Sequence, residues 1–163
     1  MLVDGYLFSL NLWYISDKIP LSFEKYLLLF STELELVKSN ICKMTKLIID
    51  ATKDKIFFMI INDHNNYNIT YENTKFNYEK MIILINDFLN SKNIKINDIS
   101  KLYVNQGPGS FAGIRNALST IKAIHIVNKV DYYCYSLNDF IGTENIKYEN
   151  IPDLCDKFKI KKN

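Results

Sequence analysis

Arginine is almost missing from this chain. Of its 20 basic residues 19 are lysine, and Arg115 is the single arginine. A protein that reads base edges normally draws on several arginines, so the composition argues against a dedicated DNA reader. The formal net charge is +2, close to neutral despite a pI near 8.3. Cysteine is scarce as well. Cys42, Cys134 and Cys155 form no C-x-x-C pair, and His64 and His125 are the only histidines beside them. That set argues against a structural zinc site. An odd, scattered number of thiols suits a reducing cytosol better than a disulfide scaffold. No apolar run reaches the roughly 20 residues of a membrane span. The stretch from Tyr6 to Ile15 is interrupted by Ser9 and Asn11 and preceded by Asp4, which makes it a poor signal peptide.

What remains is the composition of a folded domain. The 163 residues are one domain's worth, and 48% apolar against 23% charged is enough to bury a core. Ile, Asn, Lys and Tyr supply 72 of the 163 residues along the whole chain. Runs of Asn and clusters of Lys therefore carry little local meaning.

Residues 1–43 differ in pattern from the rest of the chain. Phe23, Tyr26, Leu27, Phe30, Leu34 and Val37 recur at helical spacing within 22–37. Met44 opens a new pattern, and 1–43 is expected to be an N-terminal extension; an ordinary N-terminal helix packed on the domain is the alternative. Leu47–Ile49, ending at Asp50, and Ile56–Ile61 read as two strands joined by a turn, with a third from Tyr67 to Thr74. Asn77 is expected to cap a helix over 78–91. A fourth strand runs from Lys101 to Asn105, a second helix reaches Asn128, and Tyr132–Tyr135 is a fifth strand. Ser136 is placed to cap a short helix over 137–141. Residues 144–163 show no persistent period and are expected to be a loose polar tail or the remnant of a second domain. A meander followed by helix-linked strands predicts an α/β domain: a mixed five-stranded sheet with flanking helices, in the ribonuclease H-like, actin-like ATPase-type arrangement.

The sharpest local feature is Gly107-Pro108-Gly109-Ser110-Phe111-Ala112-Gly113, between a strand and a helix. Glycines at 107 and 109 permit backbone angles closed to other residues, and Pro108 stiffens the turn. Ser110 is placed to cap the helix, and Gly113 lets its first turn approach another backbone. Amides at such a turn can hold an anion. The run is nevertheless no Walker loop, because it has no lysine for a phosphate, and no dinucleotide fingerprint. Pro108 and Ala112 stand where a nucleophile elbow needs glycines, so Ser110 is not read as a nucleophile. Asp50 ends the first strand, where metal-bound carboxylates often sit. Two-metal nuclease chemistry would require further acids on adjacent strands. The fourth strand ends in Asn105-Gln106, and Glu79 and Asp87 offer no clear inward pair. A capping or turn role suits Asp50 better, and Thr52 stands beside it at the strand end. His64 and His125 are not placed like general bases.

Two stretches, Met44-Thr-Lys-Leu-Ile-Ile-Asp-Ala-Thr52 and Val104-Asn-Gln-Gly-Pro-Gly-Ser-Phe-Ala-Gly-Ile-Arg115, resemble the TsaB (YeaZ) family. That bacterial family is required to make threonylcarbamoyladenosine, the modification next to the anticodon of tRNA. Asp50-Ala51-Thr52 stands where the family has Asp-Thr-Ser, and 107–113 matches G-P-G-S-F-T-G at all but Ala112. Ile114-Arg115 and Ser136-Leu137 match as well. Where the family often has His-Ser-Glu, this chain reads Asn77-Tyr78-Glu79. The resemblance covers about 44–143. Members usually continue into a second domain, expected here to be truncated or absent.

The resemblance implies a non-catalytic, cytoplasmic scaffold that pairs with a TsaD-like subunit and through that pair recruits a TsaE-like ATPase. It implies no cofactor or metal bound by this chain, ATP and metal in the partner, and tRNA reached only through the complex. Arg115 would then anchor the start of the second helix or its loop. The residues themselves add two broad apolar helices. Met81, Ile82, Ile83 and Ile85 on the first, with Ile114, Ala117, Leu118 and Ile121 on the second, are expected to form a partner interface with TsaD or a second copy. Two rivals remain: a small ribonuclease H-like hydrolase or phosphotransferase, disfavoured by the missing second carboxylate, and a binding domain with no part in tRNA modification.

Overall fold

The computed structural model of the chain describes residues 45–63 and 65–163. Expectations for 1–43, the helix over 22–37 among them, and for His64 lie outside the described residues. Five strands form one mixed sheet: β1 (Thr45–Asp50), β2 (Lys55–Ile61), β3 (Asn66–Glu72), β4 (Ile99–Asn105) and β5 (Asp131–Tyr135). Their order across the sheet is β3-β2-β1-β4-β5. The first three pair antiparallel as a meander, while β4 joins β1 and β5 joins β4 in parallel. Parallel neighbours need a crossover, and a helix supplies it each time.

Alternation along the strands sorts the side chains onto two faces. Leu47, Ile49, Phe58, Ile60, Leu102 and Val104 point to one face, where α2 (Met81–Asn90) and α3 (Phe111–Asn128) cover them. Ile48, Met59, Tyr103 and Tyr135 point to the other, beneath a short C-terminal helix, α4 (Ile151–Lys157). The five-stranded sheet with helices on its faces agrees with the sequence reading.

Three local expectations change. The helix expected over 78–91 is two helices, α1 (Lys75–Glu79) and α2, broken at Lys80. Its cap is Thr74, whose hydroxyl accepts from the Asn77 amide at 3.2 Å. Asn77 already lies inside the first turn, and its side chain donates back to the Glu72 carbonyl. The helix expected over 137–141 is a single 3₁₀ turn, Leu137–Asp139, capped by Ser136 as expected.

The tail is not loose. A 3₁₀ turn over Tyr148–Asn150 leads into α4, which buries Ile151, Pro152, Leu154 and Cys155. An isolated antiparallel bridge then ties Lys162 to Tyr133 on the outer edge of β5. A helix of seven residues is under two turns, too short to display a 3.6-residue period in a segment rich in Lys, Asp and Asn.

Candidate functional site

Asp50 sits at the carboxyl end of β1, next to the end of β4. In open α/β sheets this is where crevices for ligands form. Here the place is filled by the chain itself. One Asp50 oxygen, Oδ1, accepts the Thr52 amide at 2.9 Å and the Thr52 hydroxyl at 2.7 Å. The other, Oδ2, accepts the Asn105 side-chain amide at 3.0 Å and the Tyr148 hydroxyl at 2.7 Å. A carboxylate offers about four acceptor positions, and all are taken. Burial alone would push the Asp50 carboxyl up, but the hydrogen bonds from Asn105, Thr52 and Tyr148 outweigh it and hold it below its ordinary value. Such a group stays ionised. To take a proton or a metal it must first lose one of these bonds. The bonds from Thr52 close a turn at Asp50, and those from Asn105 and Tyr148 reach further than a turn.

The network continues into the glycine loop. The Asn105 side-chain oxygen accepts the Gly107 amide at 3.0 Å, and the Ser136 hydroxyl donates to the Gly107 carbonyl at 2.7 Å. The Ser110 amide donates to the Thr52 carbonyl at 2.8 Å. The Ser110 hydroxyl accepts the Gly113 amide, capping α3 as expected, and lies 3.3 Å from the Tyr78 hydroxyl.

The three loop glycines answer to two different reasons. Gly107 adopts φ +111°, which side chains rarely tolerate. Gly109 lies outside that region and is required by proximity, since a Cβ there would stand 2.2 Å from the Thr52 carbonyl oxygen. Gly113 is likewise a close approach, its Cβ position being 1.9 Å from the Ala51 carbonyl oxygen.

Outside the loop, α3 presents a ridge. Phe111, the first residue of α3, is 79% exposed, and Arg115 and Ser119 follow at successive turns of the same stripe. The ridge separates two troughs. The larger, about 710 Å³, lies toward α1 and is lined by Lys75, Tyr78, Glu79, Ala112 and Asn116. The smaller, about 270 Å³, is lined by Ile114, Leu118 and Lys122. A ridge between grooves is the form in which helix surfaces pack together. Arg115 has no acidic or carbonyl partner for its guanidinium among the described residues, so it does not anchor the loop. It stands exposed on the ridge.

The expected interface stripe narrows accordingly. Met81, Ile85, Ala117 and Ile121 lie in the core beneath α2 and α3 and face the sheet. Ile82 and Ile83 are 42% and 52% exposed on α2, and Ile114 and Leu118 are half-buried in the smaller trough. The stripe on α2 is broad because it serves both the sheet and the surface.

Among the described residues no three His, Cys, Asp or Glu side chains gather as metal ligands, and no helix is long and apolar enough to cross a membrane. His125 contacts the Val130 carbonyl through Nδ1 at 2.8 Å and packs edge-on against Tyr132, a clamp on the turn into β5. Burial pushes the thiols of Cys134 and Cys155 up, the latter to about 12. Sequence reasoning missed Tyr148 and the part played by Asn105. Tyr148 lies 98 positions from Asp50, so no local spacing ties the two.

A model of the TsaD family, described as tRNA N6-adenosine threonylcarbamoyltransferase, matches residues 73–155, just over half of the chain. The match begins at the turn before α1 and runs into α4, so it takes in both troughs, the glycine loop and the first part of the segment expected to be a tail. Among solved structures the chain is similar to YeaZ from Pseudomonas aeruginosa, at 14% identity and a TM-score of 0.53. The similarity covers 56% of this chain and 43% of that one. A second structure, of an uncharacterized protein with similarity to peptidase YEAZ from Pseudomonas aeruginosa, matches with the same figures. The chain therefore shares its ribonuclease H-like fold with these proteins while spanning less than half their length. No curated protein matches the sequence.

Proposed function

The chain belongs to the TsaD family, and from that premise we propose that it serves threonylcarbamoyl modification of tRNA as a non-catalytic scaffold that pairs with a TsaD-like catalytic subunit. One observation carries the reading. The ridge of Phe111, Arg115 and Ser119 stands between two troughs, with an exposed aromatic ring and an unpaired guanidinium at its crest. Aromatic and arginine side chains dominate the energetics of protein interfaces. Ile82 and Ile83 extend the apolar contribution from α2.

The non-catalytic part of the reading draws on Asp50. Its carboxylate is saturated by the chain's own donors, and the glycine loop holds no lysine to meet a phosphate. In this reading ATP and metal belong to the partner, a TsaE-like ATPase joins the pair, and tRNA meets the chain only in the cytoplasmic complex. The same ridge would serve a second copy of the chain in the partner's absence.

Charged replacement at the crest and on the neighbouring α2 surface tests the proposal. Phe111→Asp and Ile83→Asp are expected to weaken association with a purified TsaD-like subunit by about thirtyfold, the equivalent of roughly 2 kcal/mol. Sedimentation velocity of the mixture measures the association, and circular dichroism checks that each variant remains folded. Unchanged sedimentation with both variants would move the interface away from this face.

A further inference from the structure

We infer that Tyr148 is a positioning residue for the partner-facing ridge, acting through the Asp50 carboxylate from the opposite face of the sheet. The inference rests on the scaffold reading only for its binding consequence.

The path is continuous. Tyr148 belongs to the 3₁₀ turn that precedes α4, on the face opposite α3. Its ring stacks on Phe57 of β2 with centroids 4.0 Å apart, and its hydroxyl donates to Asp50 Oδ2 at 2.7 Å. Through its other oxygen Asp50 fixes Thr52, by both amide and hydroxyl. The Thr52 carbonyl in turn accepts the Ser110 amide at 2.8 Å, one residue before Phe111. Asn105 shares Asp50 Oδ2 with Tyr148 and holds the Gly107 amide through its own oxygen. Both routes end on the loop that sets where α3 begins, and so where Phe111 and Arg115 stand. Gly109 lies against Thr52 too closely to admit a Cβ, so a displacement of Thr52 has little slack to absorb it before the loop must move.

A carboxylate is a suitable junction. Hydrogen bonds to an ionised group are stronger than neutral ones, and those on one oxygen influence those on the other. Removing one of four donors leaves Asp50 ionised but free to rotate toward Asn105, which loosens Thr52 without exposing the core.

Hydrogen exchange of the full 163-residue chain decides the matter. Tyr148→Phe keeps the ring and its stack and deletes only the hydroxyl. The amides of Thr52, Gly107, Ser110 and Gly113 are expected to exchange about tenfold faster, while those of Phe58 and Ile69 in the β2–β3 hairpin stay unchanged. Phe57→Leu removes the stack and leaves the hydroxyl, and is expected to leave the four loop amides at their original rates. Affinity of Tyr148→Phe for a TsaD-like subunit is expected to fall about fivefold, less than for Phe111→Asp. Faster exchange confined to 148–158 would overturn the inference, because Tyr148 would then pin only its own segment. Equal loosening of the loop by Phe57→Leu would overturn it too, placing the effect in packing. If the unaltered chain shows no affinity for the TsaD-like subunit, the scaffold reading falls, and the exchange rates alone decide the positioning role.

Discussion

The two faces of the sheet are closed by different means. On the α2–α3 face the contact layer is hydrocarbon: Leu47, Ile49, Leu102 and Val104 below, Ile85, Leu89, Ala117 and Ile121 above. The helices are long enough to have an outer side, and that side carries Ile82, Ile83, Phe111, Ile126 and Val127 in the open. On the α4 face a seven-residue helix does the covering. Aromatic contacts run through Tyr103–Tyr133, Tyr135–Phe140 and Phe140–Phe158, with the Phe57–Tyr148 stack and the Asp50 network at one end. The Tyr103 and Tyr135 hydroxyls lie buried there without a partner among the described residues, and burial pushes both phenols up. One face thus leaves apolar side chains exposed, and the other turns Tyr148 and Asp50 to closing the chain over the end of β1. The difference separates a surface fit for association from one fit for closure, and it can be tested at each face.

The largest effect is expected where α3 meets β1. Gly113→Ala would set a methyl group 1.9 Å from the Ala51 carbonyl oxygen and 3.0 Å from the Tyr78 hydroxyl. The opposing atom is main chain and cannot swing away, so α3 must lift from the sheet. Overpacking of this kind costs about 3 kcal/mol. Urea denaturation of the variant measures the loss. A loss below about 1 kcal/mol would mean that α3 is held less closely to β1 than this geometry requires.

Much of the α2–α3 face is legible in the sequence, and most of the α4 face is not. The reasons are physical. A helix of 18 residues repeats its apolar period about five times, so Ile114, Ala117, Leu118, Ile121 and Ile124 declare it, and Ser110 marks its start. Strands announce themselves by short apolar runs rich in β-branched residues, such as Leu47–Ile49 with its two isoleucines. Gly113 is legible as a close approach because its neighbours make a strand-to-helix turn certain to be tight. The stripe on α2 is legible as apolar but not as two-sided, because exposed Ile82 and Ile83 are the same residue type as buried Ile85. The site at Asp50 draws on Thr52, Asn105 and Tyr148, which are 2, 55 and 98 positions away. Only the first separation leaves a local signature, and only the first enters the sequence reading.

A middle-sized effect is expected at the Asp50 network. Asp50→Asn keeps the shape but replaces an acceptor oxygen with a donor facing donors. Loss of the charge-assisted bonds is expected to cost about 2 kcal/mol. The pH dependence carries a sign. The Asp50 carboxyl lies below its ordinary value of 3.8 in the folded chain. Its contribution is therefore complete above pH 3.8 and is lost as pH falls through the lower folded-state value. Asp50→Asn lacks that contribution at every pH. Its stability deficit at neutral pH should shrink as acid is added, and urea midpoints measured from about pH 6 downward will show whether the two curves converge. Parallel curves would mean that the carboxylate adds nothing by being ionised, and that closure on this side depends on packing alone.

The smallest effect is expected at the far end of α3, where the α2–α3 face is imperfect. Lys129 ends the helix in the left-handed region, φ +56° and ψ +30°, with its amide bonded to the His125 carbonyl at 2.8 Å. Helices commonly end on such a residue, and glycine is the usual one because a Cβ there is crowded. The lysine is exposed and has no ion pair among the described residues. Lys129→Gly removes the crowding at no cost in contacts. Part of the gain is returned, since glycine also frees the unfolded chain. A net stabilisation of about 0.5 kcal/mol is expected, a rise of roughly 2 °C in Tm for a chain of this size. The reverse change before the opposite end goes the other way: alanine in place of Gly107, at φ +111°, is strained whatever space surrounds it. Differential scanning calorimetry of the two variants compares the ends directly. If Lys129→Gly lowers Tm, the aliphatic stem of Lys129 packs on the helix end and outweighs the backbone term, and the α2–α3 face then extends one residue further than its hydrocarbon layer indicates.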